Sequence, residues 1–159
     1  MALFFSEQTN RVDKKGRVSV PAQFRSALGE ALTLGVAAFP AFFLDKKAIE
    51  VWPISRLEQL QESLDYNYDR FSEDQKSLAL LIFAEARQLT FDETGRVMLP
   101  KALLDTAAIT KEALFVGQGR TFQVWNPKRY APHKTSIEKR AANGEMSLTV
   151  FPTIEGAGS

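Results

Sequence analysis

Two short segments of this chain carry similar charged residues at a spacing that suits contact with a polyanion. Residues 13–21 read Asp-Lys-Lys-Gly-Arg-Val-Ser-Val-Pro, and residues 92–100 read Asp-Glu-Thr-Gly-Arg-Val-Met-Leu-Pro. Lysine holds phosphate as a point charge, and arginine can bond guanine bidentately, so a turn that carries both suits nucleic acid. The pattern predicts DNA binding, and the candidate DNA-binding residues are Arg17, Lys14, Lys15, Arg11, Arg96, Arg25 and Lys101.

The same segments also have a purely structural interpretation. An aspartate that opens a turn can cap its own backbone, and the arginine four residues later can fold back to pair with it. Such a pair, if exposed, contributes only about 0–1 kcal/mol to stability. From the residues alone, Arg17 stays open between the two roles, whereas the aspartates are predicted to be structural. The predicted structural motif consists of Asp13, Gly16, Pro21, Asp92, Gly95 and Pro100.

The two segments differ in charge between their shared residues. The first has Lys14 and Lys15 where the second has Glu93 and Thr94. Because a glutamate repels phosphate, the first segment is expected to dominate binding to DNA. The basic residues of the second segment are then secondary contacts or purely structural.

An internal duplication places the two segments in the chain. Five residue types recur at one offset of 79 residues, and each copy continues into a helical pattern, a strand-like run and a tryptophan, Trp52 or Trp125. Aspartate and glycine favour a turn at residues 13–16, and the alternation at 17–20 predicts a strand buried on one face. A proline suited to the first helical position then opens a helix in each copy.

Two helices are predicted between the copies. Ser55 and Ser72 each stand three residues before a glutamate or glutamine, which is the spacing of a helix capping box. The second helix is apolar nearly all round at residues 78–84. It therefore forms either the core between the copies or part of a subunit interface.

The composition excludes several classes of function. The chain has 159 residues, no cysteine and a single histidine, His133, so neither a metal site nor a catalytic relay is expected. No enzyme activity and no cofactor are predicted. The N-terminus lacks the features of a secretory signal, and the longest apolar run is far shorter than the roughly 20 residues of a membrane span. The sequence predicts a cytoplasmic protein without a membrane partner.

Charge is unevenly distributed, although the net charge is only +1. Residues 11–25 hold five basic side chains against one acidic, and so do residues 128–140, which gives +4 in each case. Residues 45–76 hold five basic and eight acidic side chains, a net charge of −3. This asymmetry indicates a face for a polyanion and a separate acidic region. The basic residues near the C-terminus either contact phosphate or form a solvated helix face.

The duplicated Asp-x-x-Gly-Arg motif, each copy followed by a helix and by strands that end in tryptophan, resembles the MraZ family of bacterial transcriptional regulators. The resemblance covers residues 5–130. It implies an α+β fold in which two SpoVT/AbrB-type swapped-hairpin units form an intramolecular pseudo-dimer, mainly a β-barrel, with two helices between them. The predicted domains are residues 5–54 for repeat 1, 55–86 for a helical connector, 87–131 for repeat 2, and 132–159 for a basic helix and frayed tail.

The resemblance also implies a function. Members of the family bind direct repeats in double-stranded promoter DNA, chiefly in the promoter of their own division and cell-wall gene cluster, usually as repressors. The chain is expected to form a homo-oligomer, a closed ring, to lie at the nucleoid, and to have no small-molecule substrate. The alternative is a ring-forming scaffold that binds a protein partner through its acidic region, with only incidental DNA binding.

Overall fold

A computed structural model of the chain describes residues 3–150. The helices and strands alternate along this range in a mixed α+β order. The strands are β1 (Glu7–Arg11), β2 (Arg17–Ser19), β3 (Val36–Pro40), β4 (Ala48–Pro53), β5 (Arg87–Leu89), β6 (Arg96–Met98), β7 (Glu112–Gly117) and β8 (Phe122–Trp125). The α-helices are α1 (Ala22–Leu28), α2 (Ile54–Asn67), α3 (Glu73–Glu85), α4 (Lys101–Thr106) and α5 (Pro127–Ala142).

Six strands form one antiparallel sheet in which the copies exchange strands. The order is β1-β7-β8-β4-β3-β5, and β2 pairs separately with β6. The first strand of each copy pairs with the third strand of the other, since β1 lies beside β7 and β5 lies beside β3. The equivalent strands β4 and β8 meet at the centre of the sheet. The strand order therefore reads the same from both ends, as the predicted swapped pseudo-dimer requires.

The core is built from equivalent residues of the two copies. Around the β2–β6 pair and the helices that follow β2 and β6, core residues occur in pairs that are 79 residues apart, because the same strand and helix faces turn inward in both copies. These pairs are Val18 and Val97, Val20 and Leu99, Phe24 and Leu103, and Leu28 and Ala107. Phe24 lies against Phe4 and Phe122, with ring centroids 5.5 and 4.8 Å apart, and Phe115 adds a third contact. Burial of such side chains contributes about 1.5–3 kcal/mol each.

The α+β class is confirmed, but the strands of residues 3–150 do not close into a hydrogen-bonded barrel. The six-stranded sheet ends at β1 and at β5. A single bridge between Val12 and Val18 connects the β1 side to the separate β2–β6 pair. The ladder does not extend further at this point, because the turn from Asp13 to Arg17 makes its hydrogen bonds within itself.

Several local details differ from the sequence-based predictions. Pro21 and Pro100 stand at the N-cap, one residue before the helices that they were expected to begin. The capping box at Ser72 is confirmed, whereas the one at Ser55 is wrong, because α2 already begins at Ile54. Pro132 lies inside α5.

The chain divides into two compact units, residues 1–127 and residues 128–159. The first contains both copies and the sheet. The second consists of most of α5 and the segment that follows it, whose described part ends at residue 150. The predicted boundary between residues 131 and 132 therefore falls inside α5. The frayed end predicted for residues 155–159 lies outside the described residues.

Candidate nucleic-acid interface

The first turn is organised by the carboxylate of Asp13. Its Oδ1 accepts the backbone N–H groups of Lys15 and Arg17, each at 2.9 Å, and its Oδ2 accepts Nε of Arg17 at 2.6 Å. The carbonyl of Asp13 also accepts the N–H of Gly16 at 3.0 Å. These bonds fix the base of the Arg17 side chain. Within the described chain, the terminal Nη groups of Arg17 form no hydrogen bond.

The second turn repeats this arrangement. Oδ1 of Asp92 accepts the backbone N–H groups of Thr94 and Arg96 at 2.9 and 3.0 Å, and Oδ2 accepts Nε of Arg96 at 2.9 Å. The hydroxyl of Thr94 adds a further bond to Oδ1 at 2.9 Å. Both aspartates thus cap their turns. The two arginines are held in the same way, and their side chains are equally exposed, at 38% for Arg17 and 37% for Arg96.

The hydrogen bonds at the two turns make the free energy of unfolding depend on pH. The backbone N–H of Arg17 lowers the pKa of Asp13 below its ordinary 3.8, and the backbone N–H of Arg96 lowers the pKa of Asp92 in the same direction. A carboxyl with a lowered folded-state pKa contributes stability above the unfolded-state value, and loses it as the pH falls towards the folded-state value.

We therefore expect the free energy of unfolding to decrease as the pH falls below about 4. A double variant, Asp13→Asn and Asp92→Asn, should show a flatter dependence, because the amide oxygen still caps the turn but does not titrate in this range. Urea denaturation of both proteins at a series of pH values measures the difference. An equally steep loss of stability in the double variant would contradict this assignment.

Strands β2 and β6 form a two-stranded antiparallel ribbon that presents both arginines on one face. In this ribbon Val18 pairs with Val97, and both side chains are buried. Arg17 lies opposite Met98, and Ser19 lies opposite Arg96. Because side chains alternate along a strand, these four residues share the outer face. The tertiary structure thereby brings together two arginines that are 79 residues apart in the sequence.

A groove of about 500 Å³ runs along one side of the ribbon. It receives Arg17 and Arg96 from the ribbon, Arg11 and Lys14 from the first copy, and Lys111 from the residue before β7. Asp13 is the acidic residue among those that line it. Five cations against one carboxylate make this groove a site of positive potential, which attracts phosphate.

Comparison with known proteins identifies the family. A protein of Rickettsia canadensis (strain McKiel) named transcriptional regulator MraZ is 41% identical over 148 residues, which covers 93% of this chain and 97% of that protein. The protein of the same name from Rickettsia felis (strain ATCC VR-1525 / URRWXCal2) is also 41% identical, with the same coverage. The chain belongs to the MraZ family. The family model for MraZ protein, described as antitoxin-like, matches residues 82–147.

Membership of the MraZ family makes the chain a transcription regulator and not an enzyme, as the sequence predicted. Among the described residues, no group of three or more histidine, cysteine, aspartate or glutamate side chains could hold a metal ion. The described helices are too short or too polar to cross a membrane.

Three predicted DNA-binding residues of this MraZ family member, Arg25, Lys101 and Lys15, lie outside the groove lining. Arg25 is half-buried, and its Nε donates to the carbonyl of Val20 at 3.1 Å. Its guanidinium covers Gly95, where an added Cβ would lie 2.6 Å from Cζ of Arg25. Lys101 is exposed and pairs with Asp105 at 2.8 Å, a contact that raises the pKa of Lys101. Lys15 is exposed in the turn beside the groove.

Lys111 is the groove residue that sequence reasoning missed. It reaches the site because the N–H of Val12 donates to the carbonyl of Lys111 at 2.9 Å, just beyond the β1–β7 ladder. No local signal marks this residue, since it lies 94 positions after Arg17 and outside both repeated motifs. Only the exchange of strands between the copies brings it to the groove.

Proposed function

We propose that this chain is a sequence-specific regulator that binds double-stranded promoter DNA through the β2–β6 ribbon. The observation that carries the proposal is the display of Arg17 and Arg96 on the exposed face of a two-stranded ribbon beside a groove lined by five cations. The major groove of B-DNA admits a two-stranded β-ribbon, and arginine bonds guanine there. The name shared by the relatives, transcriptional regulator MraZ, supports this proposal.

The proposed roles within the interface follow from charge and position. Arg17 is the principal base-reading residue, and Arg96 is a secondary one because its turn carries Glu93. Basic residues near the first turn bind phosphates. These phosphate contacts position the ribbon on the DNA but do not distinguish one base sequence from another. These phosphate-binding residues are Arg11, Lys14, Lys15 and Lys111.

The proposal includes the finer expectations from the resemblance. The chain represses its own promoter within the division and cell-wall gene cluster, binds direct repeats as a ring, and lies at the nucleoid. Helix α3 supports the formation of an oligomer, since it buries Ala79 and Ile82 but leaves Leu80, Leu81 and Phe83 at least 37% exposed. Once one ribbon of a ring has bound DNA, binding of the next ribbon is intramolecular. The ring therefore binds tandem sites more tightly than a single ribbon does, although each ribbon makes the same contacts.

A mobility-shift assay tests this function with DNA from upstream of the gene and scrambled DNA of the same length. We expect sequence-dependent binding that persists at physiological salt and becomes tighter from one repeat to an array. Equal binding to one repeat and to an array would contradict the ring mechanism. Weak and sequence-blind binding that disappears at physiological salt would favour the scaffold instead.

Removal of charge at the first turn should weaken binding by a salt-dependent mechanism. The double variant Lys14→Gln and Lys15→Gln removes two exposed cations beside the groove. We expect lower affinity and a slope of log K against log salt that is smaller by about 2, because each phosphate contact contributes about 0.9. Titrations at four salt concentrations measure this slope.

The matched control removes two lysines from a different turn. Lys46 and Lys47 are exposed between β3 and β4 and do not line the groove. The double variant Lys46→Gln and Lys47→Gln should keep the wild-type slope. Equal reduction of the slope in both double variants would show that the effect of Lys14 and Lys15 comes only from net charge.

A further inference from the structure

The outer face of the ribbon departs from two-fold symmetry at one pair of equivalent positions. Ser19 in the first copy corresponds to Met98 in the second, at the same offset of 79 residues as the two arginines. Met98 is 54% exposed, so its side chain extends from the ribbon instead of packing in the core. In register, Met98 lies directly opposite Arg17, whereas Ser19 lies opposite Arg96. Each arginine therefore has a different cross-strand neighbour.

The residues beside the ribbon show the same asymmetry. On the first-copy side the groove contains Arg11, Lys14 and Lys111. The positions of the second copy that correspond to Arg11 and Lys14 hold Thr90 and Glu93. Asn10 pairs with Ala113 and the equivalent Leu89 pairs with Val36, so the strand register makes the exposed Leu34 the equivalent of Lys111. The first-copy side of the ribbon therefore carries a basic cluster suited to phosphate, whereas the equivalent residues of the second copy carry no positive charge.

We infer that Met98 is a specificity-determining residue that contacts the 5-methyl group of a thymine next to the base read by Arg17. This inference rests on the proposed function, because it requires that the ribbon enters the major groove. There, the thymine methyl is the apolar group that distinguishes A·T from the other base pairs. A methionine side chain is unbranched, flexible and polarizable, so it can follow such a surface. Ser19 offers the second half of the ribbon only a hydroxyl.

This arrangement gives the ribbon a direction on DNA. A ribbon with true two-fold symmetry would read both halves of its site alike, so it would favour a palindrome. At the end of the ribbon next to the lysine-bearing first turn, Arg17 lies opposite Met98, and at the end next to the turn that carries Glu93, Arg96 lies opposite Ser19. The two halves therefore prefer different bases, and successive ribbons along tandem sites must bind in the same orientation. Direct repeats meet this requirement, whereas inverted repeats do not.

Replacement of thymine by deoxyuridine tests the inference, since deoxyuridine lacks the methyl group but keeps its base pairing. The probe is the DNA from upstream of the gene that the mobility-shift assay uses, with one thymine position per repeat replaced at a time. We expect one position at which the wild-type protein binds about fourfold more weakly, the equivalent of one buried methylene group. Met98→Ser, which installs the residue of the first copy, should bind thymine and deoxyuridine DNA equally. Met98→Leu should retain the difference.

The outcomes separate the inference from the proposed function. Sequence-specific binding by the wild-type protein without a methyl effect at any position would overturn the role of Met98 and leave the proposed function intact. A methyl effect that persists in Met98→Ser would overturn it as well. Failure of the wild-type protein to prefer upstream DNA over scrambled DNA would overturn both. The exposure of Met98 predicts wild-type thermal stability for both variants, which a melting curve checks.

Discussion

Replacement of Arg17 by alanine is expected to weaken binding to upstream DNA by about 1–3 kcal/mol, a roughly 5- to 150-fold loss of affinity. The bond from Nε of Arg17 to Asp13 orients the side chain, and the guanidinium stands within the basic groove. A preorganised arginine loses less conformational entropy on binding than a free one. Arg17→Lys should not restore the affinity, because an ammonium group cannot form the bidentate contact with guanine.

The equivalent variant of the second copy provides the control. Arg96→Ala removes the same contact with an aspartate and the same outward guanidinium, but in a turn that carries Glu93. We expect a smaller loss than for Arg17→Ala. Both variants should remain folded, because each loses one partly exposed ion pair that contributes at most about 1 kcal/mol. Loss of binding in Arg96→Ala together with normal binding in Arg17→Ala would reverse the assignment of the dominant copy.

Gly16→Ala is expected to lower the free energy of unfolding by about 3 kcal/mol, the largest change in stability among these predictions. Gly16 has φ of +87°, and an added Cβ would lie 2.7 Å from the carbonyl oxygen of Leu99. That oxygen belongs to the backbone of the other copy, which cannot move without disturbing the turn–strand junction. There the N–H of Leu99 donates to the carbonyl of Gly16 at 2.8 Å.

Gly95→Ala should cost only about 1–2 kcal/mol, the ordinary penalty of a positive φ. Its φ is +80°, but an added Cβ there would meet the end of the Arg25 side chain, which can swing away. Gly119→Ala is the control for backbone conformation alone, because φ is +91° with no atom within 4 Å of the added Cβ. Urea denaturation measures all three variants. Equal losses for Gly16→Ala and Gly119→Ala would show that contact with Leu99 has no energetic consequence.

Much of the local structure could be predicted because its causes lie within a few residues of each other. The turns at Asp13 and Asp92 depend on a carboxylate that bonds backbone groups two and four positions later. The capping box of α3 depends on two residues three positions apart. The duplication is itself a property of the sequence. Together these features predicted an α+β chain with two similar halves and a basic first turn.

The starts of several helices were predicted wrongly, because a nearby proline allows more than one starting position. Proline fits both the N-cap and the first helical position, so the start of α1 and of α4 was displaced by one residue. Pro53 caps α2 and therefore places Ser55 inside the helix, where its capping spacing has no effect. The basic helix was expected within residues 132–159, but α5 already begins at Pro127 and contains Pro132.

The sequence by itself determined the duplicated motif, the turn geometry and the charge difference between the two copies. The tertiary structure alone decided that β2 pairs with β6, that Lys111 joins the groove, and that Met98 stands opposite Arg17. These contacts join residues about 80 or more positions apart, so no local pattern encodes them. They form because each copy buries its apolar strand face only by exchanging strands with the other. The Asp-x-x-x-Arg turns are therefore local, whereas the surface proposed to read DNA is a product of the whole fold.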